Sequence, residues 1–221
     1  SANSISLGRL LPQACYYAHA ALMHHRASGQ PLNFVVPTGN LGNALACVLA
    51  RRMGLPIGRI VLASNANAVL PAFFAGGDYS PRASIATLAN AMDVGAPNNF
   101  ERLQWLYPQA DELRRVLSAT SVDDEAIRST IVQAYRDLGE IVCPHTACAV
   151  YAMQALRANG ADGDWVVVST AHPAKFPEVV EPLIGREVPL PPALAAMLER
   201  PSTAAPLADD ADVLRAELRM E

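Results

Sequence analysis

The stretch N-F-V-V-P-T-G-N-L-G-N, residues Asn33 to Asn43, predicts a buried strand that turns into a helix. Its first part holds a short apolar run, 34–36, which is bounded by Pro37 and is typical of a buried strand. Residues 44–53 then show a helical pattern that stops at Gly54. The stretch therefore predicts a strand, a glycine loop and a helix in direct succession.

The glycine loop, Gly39-Asn40-Leu41-Gly42-Asn43, has the composition of a phosphate cradle. Its two glycines let the backbone adopt positive φ and let a ligand approach closely. A loop that enters a helix also directs free N–H groups and the positive end of the helix dipole at one point. The loop is neither a Walker A motif, which needs Lys-Ser/Thr, nor the G-x-G-x-x-G fingerprint of dinucleotide sites. The spacing alone fits an ordinary turn before a helix as well.

Composition excludes several classes of protein. The 221 residues are 51% hydrophobic and 17% charged, which is enough for one sizeable core. A net charge of −4 gives no indication of a nucleic-acid partner or an anionic membrane. No apolar run approaches the length of a membrane span, and no signal peptide is visible. The four cysteines lack a disulfide spacing, so we expect a reduced, cytoplasmic protein.

The start of the chain and its lysine content are both unusual. The sequence begins at Ser1, without Met, just before a helical pattern, so we expect a piece of a longer protein; a processed N-terminus would look the same. Lys175 is the only lysine beside 16 arginines, from 17 basic residues in all. Any chemistry that needs an amine nucleophile therefore has one candidate in this chain.

The remaining patterns predict an α/β chain. Buried strands are expected at 34–36, 59–64 and 165–169, with 141–143 as a further short candidate. Because the first two are joined by a helix and short links, the sheet is expected to be parallel. Pro12 is expected to begin or kink the first helix. The predicted helices cover 6–26, 44–53, 68–74, 84–92, 100–107, 111–117, 122–138, 144–159, 178–183, 193–198 and 209–220.

Polar residues follow three of these strands. The strand ends lead into Gly39, Asn65 and Thr170, and the carboxyl edge of a parallel sheet is where ligands bind. Asn65 and its neighbour Asn67 fit a ligand site and a helix cap equally well. No metal site is expected, because the grouping around His145 lacks a fourth ligand.

Eight ordered motifs together resemble the threonine synthase family of fold type II enzymes, which use pyridoxal 5′-phosphate (PLP). The resemblance covers nearly the whole chain, and T-A-H-P-A-K-F and the N-S-I-x-x-x-R-L-x-x-Q opening are its most specific parts. The matching stretches are A-N-S-I-S-L-G-R-L-L-P-Q-A-C-Y-Y (2–17), V-P-T-G-N-L-G-N (36–43), M-G-L-P-I (53–57), A-S-N-A-N (63–67), M-D-V (92–94), N-N-F-E-R (98–102), P-H-T-A (144–147) and T-A-H-P-A-K-F (170–176).

The resemblance implies a fold, a reaction and a cofactor site. It implies a three-layer αβα fold with a mostly parallel sheet, and conversion of O-phospho-L-homoserine and water to L-threonine and phosphate. It implies that the PLP phosphate binds to Gly39, Asn40, Leu41, Gly42 and Asn43, and that the Thr170 hydroxyl faces the pyridine nitrogen. Candidates for the substrate or the departing phosphate are Asn65, Asn67, Asn98, Asn99, Arg102, His145, His172 and Lys175.

The same resemblance implies an incomplete catalytic apparatus. Family members are longer, and their upstream S-x-x-F-K-D segment carries the Schiff-base lysine, which is absent here. Lys175 belongs to T-A-H-P-A-K-F and not to that segment, so it is not expected to take this role. We expect a large-domain portion at 1–200, and a linker and peripheral helix at 201–221. The isolated chain is expected to be inactive, and a monomer or weak homodimer.

Two further interpretations stay open at this stage. The chain, or a degenerate paralogue, can bind PLP or phosphate without turnover. Another fold type II lyase, such as a serine/threonine dehydratase, or a sulfhydrylase would share the glycine loop.

Overall fold

Within residues 4–201 and 205–218, which the computed structural model describes, one sheet of four parallel strands is present. Its spatial order is β3-β2-β1-β4. The glycine loop directly follows β1, as predicted. The strands are β1 (Leu32–Pro37), β2 (Ile57–Ser64), β3 (Leu117–Ser121) and β4 (Trp165–Val167).

Helices occupy most of the remaining described chain, and the first of them runs straight through Pro12 from Leu7. The first helix therefore begins before Pro12, whereas the sequence pattern left open whether Pro12 begins the helix or kinks it. The helices are α1 (Leu7–Ser28), α2 (Gly42–Arg52), α3 (Val69–Phe74), α4 (Phe100–Leu106), α5 (Ala110–Val116), α6 (Asp124–Leu138), α7 (Pro144–Ala158), α8 (Pro177–Ile184), α9 (Pro192–Leu198) and α10 (Ala211–Glu217), with short 3-10 turns at Asn90–Met92 and Pro173–Lys175.

The sheet is covered by helices on both faces. Successive side chains of a strand point to opposite faces, and β1 shows this directly. Phe34 and Val36 join one apolar core with residues of α1, α2 and α4, whereas Val35 joins a second core with residues of α6, α7 and α8. Both cores are made of buried side chains, so burial of apolar area on each face holds the layers together. The predicted αβα class with a parallel sheet is confirmed.

The strand order places a topological switch point beside β1. The chain proceeds from β1 to its neighbour β2 and on to β3, and β4 is then added on the other side of β1. Connections that leave adjacent strands in opposite directions open a crevice at the carboxyl edge between them. The crevice here lies between the ends of β1 and β4, so it is bordered by the glycine loop and by the segment that begins at Thr170.

Two predictions about regular structure are wrong. Residues 84–92 form no α-helix; only the 3-10 turn Asn90–Met92 is helical, because tertiary partners take up the backbone groups. Ile85 N–H donates to Asn67 and Leu88 N–H to Asp124. Residues 141–143 form no strand, since Cys143 instead caps α7 and its Sγ accepts from Thr146 N–H.

The edge strands differ from expectation too. The five-residue strand β3 was not predicted, because only Leu117 in it is fully buried at the edge of the sheet. At the other edge, β4 is half-buried rather than fully buried and ends at Val167.

The chain divides into two compact units, the first ending at Val188 and the second beginning at Pro189. The first unit holds the sheet, and the second holds α9 and α10, which contain no buried residues. The expected domain boundary, at 200/201, lies twelve residues after this division. Among the described residues, no helix combines the length and apolarity that a membrane crossing requires.

Candidate functional site

Asn40 is the most extensively braced residue of the glycine loop. Its carbonyl accepts a hydrogen bond of 2.8 Å from Asn99 Nδ2. Its side-chain oxygen accepts from the backbone N–H of Asn98 at 2.6 Å, and its side-chain nitrogen donates to Ser4 Oγ. The loop conformation is therefore fixed by groups from the start of α4 and from the segment that precedes α1.

Asn43 anchors the other end of the loop to α1. Its Nδ2 donates to the Tyr16 hydroxyl at 2.6 Å, and its Oδ1 accepts from the Tyr17 hydroxyl. Burial raises the pKa of both phenols, so each stays protonated at neutral pH. The side chains of the loop are thus used for support, which leaves its backbone to face a ligand.

The two glycines of the loop act differently from expectation. Positive φ occurs at Leu41 (64°), whose side chain is buried, and not at Gly39 or Gly42. Gly39 is required for close approach instead: a Cβ there would lie 2.7 Å from Met92 Cα. Gly42 has room for a Cβ, with its nearest neighbour at 3.5 Å. A non-glycine residue in the left-handed region costs about 1–2 kcal/mol, and such residues concentrate at functional sites.

The loop leaves a set of backbone donors unused. From Gly39 to Ala44, no backbone N–H has a hydrogen-bond acceptor within residues 4–201 and 205–218. α2 begins at Gly42 without a side-chain cap, so its positive dipole end lies among these groups. Free N–H groups at a helix start form an anion site.

The loop residues Gly39 to Asn43 line a cleft of about 350 Å³ at the switch point. The cleft is cationic, because Arg9 and Lys175 line it and no aspartate or glutamate of the described chain does. Its other polar lining includes Thr38, Thr170 and His145. The sequence-predicted residues that the fold brings together here are Gly39, Asn40, Leu41, Gly42, Asn43, Thr170, His145 and Lys175.

His145 is held as a neutral ring at the start of α7. Its Nε2 accepts from Ala91 N–H at 3.1 Å, which places the ring proton on Nδ1. The ring lies against Phe176, with centroids 4.9 Å apart, and the residue is 4% exposed. Burial lowers the pKa of His145; Asp93 opposes the shift and Lys175 adds to it. Buried Nδ1 has no partner in the described part of the chain.

The other candidates lie outside the cleft, and several of them support the fold. Asn65 is fully buried and donates to Thr87 Oγ1 at 2.8 Å and to Asp93 Oδ1 at 2.7 Å. Asn67 donates to Ile85 O and accepts from Ile85 N–H. Both follow β2, on the side of β1 away from β4, so the strand order keeps them from the switch point.

The remaining four candidates also have structural partners, and two of them, Asn98 and Asn99, are the residues that brace Asn40. Arg102 Nη1 donates to Asn99 Oδ1 at 2.8 Å, so it positions the residue that braces Asn40. His172 Nδ1 accepts from Ala174 N–H at 3.2 Å and caps the 3-10 turn that ends at Lys175.

Sequence reasoning missed two lining residues, Arg9 and Gln13. They lie four residues apart on α1 and so share one face of it. Both belong to the N-S-I-x-x-x-R-L-x-x-Q opening, so the signal was present in the motif. Met92 and Phe176 were missed as well, because an apolar side chain by itself carries no chemical signature of a ligand site.

Comparison with known proteins identifies the family. Residues 13–171 match the family described as "Pyridoxal-phosphate dependent enzyme", and residues 146–217 match "Threonine synthase, C-terminal". The first match covers more than half of the chain. The chain belongs to the pyridoxal-phosphate dependent enzyme family. The resemblance to threonine synthases and the cofactor predicted from it are thereby confirmed.

Relatives of known structure and sequence agree with this assignment. A threonine synthase from Serratia marcescens is 41% identical over 91% of this chain and 46% of its own length. A PLP-bound threonine synthase from Brucella melitensis superposes with a TM-score of 0.85 at 31% identity, over 99% of this chain and 52% of that one. The threonine synthase from Escherichia coli superposes with a TM-score of 0.78 at 37% identity, over 100% of this chain and 51% of that one. The chain thus spans about half the length of the relatives it matches.

The cleft fits the family's cofactor on its own chemistry. PLP carries a dianionic phosphate, and the cleft offers free N–H groups at a helix start. Among the residues that the structure describes, two cationic side chains line the cleft and no carboxylate does that would repel the phosphate.

Proposed function

We propose that this chain is the large-domain part of a threonine synthase, which converts O-phospho-L-homoserine and water to L-threonine and phosphate. The observation that carries the proposal is that the backbone N–H groups of Gly39 to Asn43 have no acceptor in the described chain and that these residues line a cleft together with Thr170. Threonine synthases at 30–41% identity support the same reaction.

The glycine loop is proposed to bind the phosphate of PLP. Each hydrogen bond to a charged group contributes about 1.5–3 kcal/mol, and the donors are already held in place before binding. The supports of Asn40 and Asn43 keep the loop from refolding around other acceptors. Residues Gly39, Asn40, Leu41, Gly42 and Asn43 are all proposed as cofactor-binding residues.

Thr170 is proposed to bind the pyridine nitrogen. A hydroxyl can donate to a neutral ring nitrogen, whereas a carboxylate would hold the ring protonated. Since no described carboxylate lines the cleft, the neutral ring is favoured here. When bound, PLP supplies the electron sink for proton removal from the substrate, and a neutral ring makes that sink weaker and more selective.

His145 and Lys175 are proposed to contact the substrate or its phosphate. Both line the cleft, and Lys175 forms no ion pair within the described residues. Asn65, Asn67, Asn98, Asn99, Arg102 and His172 are instead proposed to act through the fold, because they lie outside the cleft. The lysine that binds PLP covalently is proposed to lie outside this chain.

The test uses the product of the complete reading frame. Incubated with PLP and O-phospho-L-homoserine, it is expected to release L-threonine and inorganic phosphate in equal amounts. 2-Oxobutanoate as the product would favour a dehydratase and overturn the proposal. PLP binding without any product would favour the alternative, a non-catalytic PLP- or phosphate-binding module.

Borohydride reduction tests the separate point of the anchoring lysine. The position of Lys175 in the cleft makes this test necessary, since an amine there can reach a bound aldehyde. After reduction with PLP and proteolysis, the pyridoxyl adduct of the complete product is expected on a lysine other than Lys175. An adduct at Lys175, with turnover, would show that this chain carries its own anchor.

We further propose that the protein acts in the cytoplasm as a monomer or weak homodimer. The four cysteines are all free, which suits a reducing compartment. Sedimentation velocity over a concentration series measures the oligomeric state, and a tight oligomer at the lowest concentration would contradict the proposal.

A further inference from the structure

A second cleft, of about 530 Å³, lies at the opposite edge of the sheet from the glycine loop. It is located where the strands begin, between the first residues of β1, β2 and β3. No aspartate or glutamate lines it among the residues that the structure describes. We name it the arginine pocket after four lining residues: Arg51, Arg59, Arg114 and Arg115. A chain of net charge −4 thus places four of its 17 basic residues around one cleft.

Neutral groups hold two of these guanidinium groups in position. Arg51 Nη1 lies 3.4 Å from the carbonyl oxygen of Val116, and the Arg59 guanidinium lies over the Trp165 ring at 5.2 Å from its centroid. Carbonyls and rings orient a guanidinium without carrying a net charge. Both guanidinium groups are therefore held in position by neutral groups, which do not neutralise their positive charge.

Arg114 is the most firmly held of the four. It donates to Phe73 O at 3.1 Å and to Gly77 O at 2.9 Å, and its ion pair with Asp111 involves a carboxylate that is 86% exposed. Exposed pairs of this kind contribute little, so most of the charge of Arg114 remains available. The side chain of Arg115 has no hydrogen bond or ion pair anywhere in the described chain.

We propose that the arginine pocket binds a small oxyanion with two or more negative charges, of the diphosphate or phosphate-ester class. Like charges confined around one cleft repel one another, and a multivalent anion relieves that repulsion. The planar fork of a guanidinium matches phosphate oxygens in pairs. The volume of the arginine pocket exceeds that of the cleft beside the glycine loop, which favours an anion larger than a single phosphate.

The lining narrows the ligand class further. The only side-chain amide there, Asn33, is already used: it donates to Asp164 O and accepts from Arg59 N–H. Recognition therefore depends on charge and on the guanidinium forks. No aromatic side chain of the described residues lines the pocket to stack on a base, so single-stranded nucleic acid is disfavoured.

Calorimetric titration with inorganic pyrophosphate tests the proposal, on this chain and on the product of the complete reading frame. Arg115→Gln and Arg59→Gln are each expected to weaken binding about three- to tenfold, and the double variant more. Arg128→Gln, an exposed arginine of α6 outside the pocket, is the matched control and is expected to bind like wild type. Added NaCl is expected to weaken binding.

Gly42→Asp separates this pocket from the glycine loop. Pyrophosphate binding that survives Gly42→Asp and is weakened by Arg115→Gln supports the arginine pocket. Binding lost in Gly42→Asp but kept in the arginine double variant would assign the anion to the loop and overturn the proposal. No binding at all, or binding by this chain that the complete product lacks, would also overturn it. None of these outcomes depends on threonine formation, so the proposed function is tested separately.

Discussion

Asn99 Nδ2 donates to the carbonyl oxygen of Asn40 at 2.8 Å, and this one hydrogen bond joins the start of α4 to the glycine loop. The same side chain accepts from Arg102 through Oδ1, and Asn99 is fully buried. Replacing it with alanine leaves a carbonyl and a guanidinium without these partners. We expect Asn99→Ala to lower the free energy of unfolding by about 1–3 kcal/mol and to weaken PLP binding. Urea denaturation and equilibrium dialysis with PLP measure the two effects.

The neighbouring residue supplies the control. Asn98 contacts Asn40 through its backbone N–H, and its side chain is exposed. Asn98→Ala is therefore expected to keep wild-type stability and PLP affinity. If Asn98→Ala and Asn99→Ala lost equal amounts of unfolding free energy and PLP affinity, the role assigned to the Asn99 side chain would be contradicted.

The glycine loop and Asn99 also show what sequence can and cannot predict. The loop was placed correctly because strand, turn and helix signals are local and adjacent. Asn40, which Asn99 braces, lies 59 residues away in sequence, so this role of Asn99 follows only from the tertiary fold. Asn65, which was expected at the ligand edge, does not line the cleft, and the reason is related. Three strand ends were expected on one edge, but only the strand order decides which two meet at the switch point.

Gly39 is expected to be sterically intolerant of any side chain. A Cβ at this position would lie 2.7 Å from Met92 Cα and 3.1 Å from the Met92 carbonyl carbon, so backbone must move. Gly39→Ala is expected to cost about 1–3 kcal/mol of unfolding free energy. Gly42→Ala, where the nearest atom is at 3.5 Å, is expected to stay within about 0.5 kcal/mol of wild type in chemical denaturation. A cost as large at Gly42 as at Gly39 would contradict the packing described here.

Gly42→Asp is expected to weaken PLP binding through charge. Its carboxylate would lie at the first residue of α2, beside the free N–H groups, and would both repel the cofactor phosphate and compete for those donors. An affinity loss of about tenfold or more corresponds to one charged hydrogen bond. In Gly42→Asn, the new side chain has a similar size without the charge, so we expect a smaller loss of PLP affinity. Absorbance titration with PLP measures both, and equal affinities for the two variants would count against the phosphate position.

Thr170→Val is expected to change the electronic environment of bound PLP. The substitution keeps the branched shape and removes the hydroxyl, while Thr170→Ser keeps the hydroxyl and removes the methyl group. In the product of the complete reading frame, the valine variant is expected to shift the cofactor absorbance band and lower kcat. The serine variant is expected to stay near wild type. An unchanged spectrum and rate for Thr170→Val would remove the pyridine-nitrogen role from this residue.

His145 makes the stability of the fold dependent on pH below neutrality. Burial, the largest cause, lowers its pKa in the folded chain, with Asp93 opposing and Lys175 adding to the shift. In the unfolded chain its pKa returns to about 6.5. Below that pH, His145 therefore binds a proton more readily in the unfolded state than in the folded state. The contribution of neutral His145 is therefore complete above about pH 6.5 and declines as the pH falls toward the folded pKa, by up to about 1.4 kcal/mol per pH unit.

His145→Gln isolates this contribution. The glutamine oxygen can accept from Ala91 N–H in place of Nε2, and the side chain does not titrate. We expect urea denaturation to show a smaller loss of unfolding free energy between pH 7.5 and about pH 5.5 in the variant than in wild type. If His145→Gln loses as much stability as wild type over this range, the ring is not held neutral by burial.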